Sequence, residues 1–82
     1  MKQTAVVMLQ LPEPGSKQMR TRDVEVPLHI AAERVIRAIA ETYDLPEDVS
    51  YLICEDPIAL LCGGKTLEQY GVHDGSTLRY MG

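Results

Sequence analysis

The stretch "DVEVPLHIAAERVIRAIAETYDLP", Asp23 to Pro46, changes its hydrophobic period part-way. Up to Val26 it alternates, with Val24 and Val26 on one side and Asp23 and Glu25 on the other. That is the period of a half-buried strand. Beyond His29 the apolar residues recur at helical spacing. Ala32, Val35, Ile36, Ile39, Ala40 and Tyr43 make one stripe, and Glu33 and Arg37 form an i,i+4 pair on the opposite face. A helix is predicted near residues 31–43. No Ser, Thr, Asp or Asn stands where it would cap the start. His29 is the only polar neighbour, so that boundary stays open. Pro46 lacks an amide donor and pushes Leu45 toward extended geometry, which ends the helix.

Working outward, "TAVVMLQL" (Thr4 to Leu11) places Ala5, Val7, Leu9 and Leu11 on one face of a strand. "PEPGSK" (Pro12 to Lys17) is a turn, and "MRTRDVEV" (Met19 to Val26) returns, giving a hairpin with a bulge expected near Gly15. On the other side, "SYLICE" (Ser50 to Glu55) and "IALLC" (Ile58 to Cys62) are short strands either side of an Asp-Pro turn. The Gly63-Gly64 pair breaks the chain. "TLEQYG" reads as one short helical turn, capped by Thr66 and closed by Gly71. "HDG" is a turn with Gly75 at positive φ. "STLRYM" is a last strand with Leu78 and Tyr80 inward. The order ββαββ, helical turn, β suggests an α+β roll: one mixed sheet around one helix, with the first and last strands as parallel neighbours at its centre.

Composition bounds what such a chain does. Its 82 residues suffice for one domain, taken as 1–82. A domain of this size buries roughly 60% of its unfolded surface. A net charge of -4 speaks against general nucleic-acid binding, and no apolar run is long enough to span a membrane. The N-terminus has no signal-peptide pattern, so a cytoplasmic location is the expectation.

No pattern of reactive residues demands catalysis, a cofactor or a metal. The spacing of Cys54 and Cys62 matches no zinc or redox motif, and both read as small apolar residues of the sheet. His29 and His73 have no third ligand that the sequence identifies. His73, Asp74 and Ser76 supply the residue types of a hydrolytic triad but share one turn, too close in sequence for relay geometry. "GGKT" lacks the strand, glycine spacing and long helix of a phosphate loop, leaving Lys65 a solvated charge.

"GGKTLEQYGVHDGSTLRY" (Gly63 to Tyr80) resembles the corresponding part of ubiquitin. It has a glycine turn before a basic residue, then Thr66-Leu67, Tyr70, Val72 and Ser76-Thr77-Leu78 opening the last strand. Together with "DVEVPLHIAAERVI", and with Gly71-Val72, Gly75, Leu78 and Tyr80, most of the chain resembles the YukD family of bacterial ubiquitin-like proteins. The resemblance implies a β-grasp (ubiquitin-like) roll of four to five strands with one main helix and a short helical turn. It also implies a non-catalytic cytosolic subunit or domain of a type VII (WXG-type) secretion system. The EccD-type membrane component carries the same fold as its N-terminal domain. The partners implied are membrane-associated secretion proteins, with this chain at the inner face of the cell membrane through them. The family brings no catalytic residues.

The alternative is a conjugatable modifier or sulfur carrier using the carboxylate of Gly82. If Tyr80 is held in the sheet, only Met81 and Gly82 remain, a reach of about 7 Å. Met81 stands where ubiquitin has its penultimate glycine. A strand end is therefore expected rather than a chemical handle.

Strand parity singles out one surface. With Val7 and Leu9 toward the helix, Val6 and Met8 face away, as do Arg79 and Met81 on the neighbouring last strand. Val6, Met8, Arg79 and Met81 are the expected protein-binding cluster on the open sheet face, joined by Tyr51 or Leu52 according to a register that the sequence leaves open.

Overall fold

The computed structural model describes residues 3–12, 18–45, 49–55 and 58–80. Five strands and one helix follow in the order β1 (Thr4–Pro12), β2 (Met19–Pro27), α1 (Ala32–Thr42), β3 (Leu52–Glu55), β4 (Ala59–Leu61) and β5 (Thr77–Arg79). The strands form a single sheet in the order β2-β1-β5-β3-β4. β1 and β5 are parallel, and the other neighbours are antiparallel. This is the expected β-grasp arrangement, with β5 in the middle and β1 beside it.

β1 and β2 pair without a slip from Thr4↔Pro27 to Pro12↔Met19. The bulge expected near Gly15 and the turn around it lie outside the described residues, as do Pro46 and the Asp56-Pro57 turn. β3, β4 and β5 are shorter than the sequence suggests. Ile58 sits in a turn before β4, and Cys62 and Tyr80 fall just past strand ends. Tyr80 is nevertheless tied to β1, its N–H donating to the Gln10 carbonyl at 3.1 Å.

The core is the layer between sheet and helix. Ala5, Val7, Leu9 and Leu11 of β1 meet Val35, Ile36 and Ile39 of α1, with Leu52, Cys54, Leu61, Leu67 and Leu78 completing it. The alternation of β1 thus places every second residue in an apolar layer whose burial drives folding. Of the helical stripe, Ala32, Val35, Ile36 and Ile39 are buried, whereas Ala40 and Tyr43 are half-buried.

Tertiary contacts cap the helix. Ala31 occupies the N-cap position and makes no side-chain capping bond. Instead the Ala32 and Glu33 amides donate to the Lys65 and Gly63 carbonyls at 2.7 and 3.0 Å. The glycine turn, with Gly63 at φ 69, brings those carbonyls to the helix start and satisfies donors that would otherwise be orphaned. His29 has a different role, its Nε2 lying 3.6 Å from a Glu68 carboxylate oxygen. At the other end Asp44 adopts φ 56, and the Leu45 amide reaches back to the Ala40 carbonyl at 2.9 Å. This is a left-handed cap formed by a residue other than glycine.

The segment after β4 is a hydrogen-bonded helical turn, as expected. Thr66 Oγ1 accepts from the Gln69 amide and Gln69 Oε1 from the Thr66 amide, a reciprocal capping box. Gly71 closes it at φ 89. Tyr70 donates its hydroxyl to the Cys62 carbonyl at 2.7 Å. Lys65, expected as a solvated charge, lies over the Tyr70 ring with its Nζ 4.7 Å from the centroid.

Candidate functional site

The two sheet faces differ sharply. One is covered by α1, and among the described residues the other is open. Register decides which residues reach the open face. Met8 pairs with Thr77 and Gln10 with Arg79 across the parallel β1–β5 ladder. Leu9 and Leu78 are buried on the opposite face. Val6, Met8 and Arg79 therefore share the open side, as strand parity predicts. Val6 is 47% and Met8 39% exposed. Met81 lies outside the described residues.

β3 and β4 add residues that parity in the first and last strands alone does not supply. Ile53 pairs with Arg79 on one side and with Leu60 on the other. Ile53 and Leu60 thus stand in line with Arg79 on the open face, and Leu60 is 53% exposed. Of the two alternatives left by the sequence, Leu52 is buried, while Tyr51 is exposed one residue before β3. The alternation of "LICE", with Leu52 and Cys54 inward, was the signal for Ile53.

Arg79 does not stand alone among apolar atoms. Its guanidinium forms an ion pair with Glu55, the β3 residue diagonal to it across the β3–β5 pairing. Its Nε is buried without a hydrogen-bond partner. The face is thus an apolar strip, Val6 and Met8 on one flank and Ile53 and Leu60 on the other, with a paired cation and anion between. On the β2 side Glu25 and Asp23 stand opposite Val6 and Met8 and give the strip an acidic border.

The His73, Asp74 and Ser76 group is a structural turn. Asp74 Oδ1 accepts from the Val6 amide at 2.8 Å, and the Gly75 amide donates to the Val6 carbonyl at 2.9 Å. Ser76 is fully buried, its Oγ accepting from the His73 amide at 3.0 Å. Asp74 ties the turn to β1, whereas the Ser76 hydroxyl and the His73 ring, its Nδ1 2.8 Å from the Asp74 carbonyl, bond within the turn itself.

The two cysteines are free thiols: Cys54 buried in β3, Cys62 half-buried beyond β4. Among the described residues no group of three or more His, Cys, Asp or Glu side chains could hold a metal. No helix among them is long and apolar enough to cross a membrane. A hollow of about 780 Å³ lies between the C-terminal half of α1 and the loop at Cys62. Of its charged lining, Glu33, Arg37 and Glu41 stand on the exposed face of α1 and Asp44 just beyond the helix end.

A five-stranded mixed sheet with one helix across it and an open opposite face defines a ubiquitin-like domain. The chain belongs to the NUB1 ubiquitin-like domain family, whose sequence model matches residues 4–80. No curated protein sequence matches the chain.

Proposed function

We propose that this chain is a non-catalytic ubiquitin-like interaction module that docks a protein partner on its open sheet face. One observation carries the proposal. Exposed Val6, Met8 and Leu60 and half-buried Ile53 lie together, around the Arg79–Glu55 pair, on the face that no helix among the described residues covers. Scattered exposed apolar residues need no explanation, but a contiguous cluster marks an interaction surface. Apolar atoms supply burial and the charges at the centre set orientation.

The finer assignment rests on the YukD-like resemblance. It makes the module a cytosolic accessory subunit or domain of a type VII (WXG-type) secretion system, held at the inner face of the membrane by its partners. The mechanism is docking, with no bond made or broken.

Met8→Lys combined with Leu60→Lys tests both levels. Both side chains are exposed, and Lys at position 8 would stand opposite Asp23, so the fold survives. Immobilised wild-type chain is expected to capture cytosolic secretion components, and the folded double variant to lose them. Undiminished capture would move docking to another surface. Failure of both forms to capture any such component would overturn the secretion assignment. A covalent adduct in cell extracts that disappears on deletion of Gly82 would instead establish a conjugated modifier.

A further inference from the structure

The sheet order β2-β1-β5-β3-β4 leaves two outer strands, and their edges differ in charge. β2 carries Arg20, Arg22, Asp23 and Glu25, side chains of the kind that keeps an edge from pairing. β4 carries none, and residues 58–64 hold no charged side chain at all. Ile58, just before β4, is 87% exposed, and Leu60 within it is 53% exposed. β4 bonds to β3 on its inner side, and among the described residues no strand lies on its outer side.

We infer that β4 pairs antiparallel with β4 of a second copy of this chain, joining two sheets into one about a two-fold axis at Leu60. This register sets Leu60 opposite Leu60 of the second copy, Ala59 opposite its Leu61, and Ile58 opposite its Cys62. No like charges meet, although each chain carries a net charge of -4. By strand polarity, the β4 end next to Glu55 comes toward the end of the other copy that leads to Lys65, so unlike charges flank an apolar centre. A foreign strand gains less here. β4 is three residues long and offers few main-chain bonds, whereas a second copy supplies the exposed Ile58 and Leu60 again.

The two-fold axis stands normal to the sheet. Both open faces then lie on one side and both helices on the other. A pair presents two such faces side by side, and a partner with two matching segments gains avidity without any new contact. The pairing itself does not depend on what docks there.

The contact is small, so sedimentation velocity of the full chain should show monomer giving way to dimer between about 10 µM and 1 mM. Ile58→Lys should weaken self-association by roughly tenfold or more at an unchanged melting temperature, because that side chain is mostly in solvent. Met8→Lys, on the open face of β1 and away from this edge, should leave it unchanged. Leu60→Cys under oxidised glutathione should form a disulfide between copies, since directly opposed antiparallel residues stand within the Cα spacing that a disulfide spans. The parent chain, with Cys54 and Cys62 as free thiols, should not. A chain that stays monomeric up to about 1 mM overturns the inference. So does self-association that Ile58→Lys leaves intact or that Met8→Lys abolishes, or a Leu60→Cys chain that cross-links no faster than Met8→Cys.

Discussion

The carboxylate of Asp74 accepts a hydrogen bond from the Val6 amide at 2.8 Å, joining residues 68 positions apart. The same turn returns the Gly75 amide to the Val6 carbonyl, so the β1 backbone is gripped just before its ladder with β5 begins. Asp74→Ala leaves the Val6 amide to solvent and should cost about 1 kcal/mol. Asp74→Asn keeps an acceptor and should cost less. Urea unfolding of the two variants measures the difference, and equal midpoints would show that the contact contributes nothing.

Ile36 is 2% exposed and lies between α1 and the sheet. Ile36→Asp buries a charge without a partner in a small core and should destabilise the domain by several kcal/mol. Circular dichroism is expected to show a chain largely unfolded at room temperature. A parental melting curve would mean that the helix packs through another face.

Asp44 holds φ 56, a conformation that a β-branched side chain tolerates poorly. Asp44→Val should lower stability by about 1–2 kcal/mol, whereas Asp44→Gly should be neutral or stabilising. Thermal melts of the two variants should therefore move apart, and a common melting temperature would refute the left-handed cap.

Arg79 and Glu55 are each partly exposed, so their pair is screened by solvent. Arg79→Glu sets two carboxylates side by side and should destabilise. Adding Glu55→Arg to that variant should restore much of the loss, with a coupling of roughly 0.5–1 kcal/mol that weakens as salt rises. A double-mutant cycle with zero coupling would show that the ion pair adds nothing to stability.

Much of this fold is written locally. The alternation of Thr4 to Leu11 and the change of period after Val26 determined the hairpin, the helix and the inward face of β1. Side-chain direction follows from residue spacing alone once an element forms. Thr66, Gly71 and Gly75 likewise announced their turns through capping chemistry and backbone freedom. For the same reason Val6, Met8 and Arg79 could be assigned to the open face before any pairing was known.

Only the tertiary structure decided what meets across the chain. A strand of three or four residues such as β3, β4 or β5 carries too little pattern to set its own register. The alternation of Leu52 to Glu55 hints at the direction of Ile53, but Leu60 came into line with it, and Glu55 met Arg79, only through pairing. The start of α1 is capped by the Gly63 and Lys65 carbonyls, backbone groups that every sequence possesses and that only the fold brings to the helix. β4 is an uncharged edge only because the sheet order leaves it outermost, and no stretch of sequence sets that order by itself.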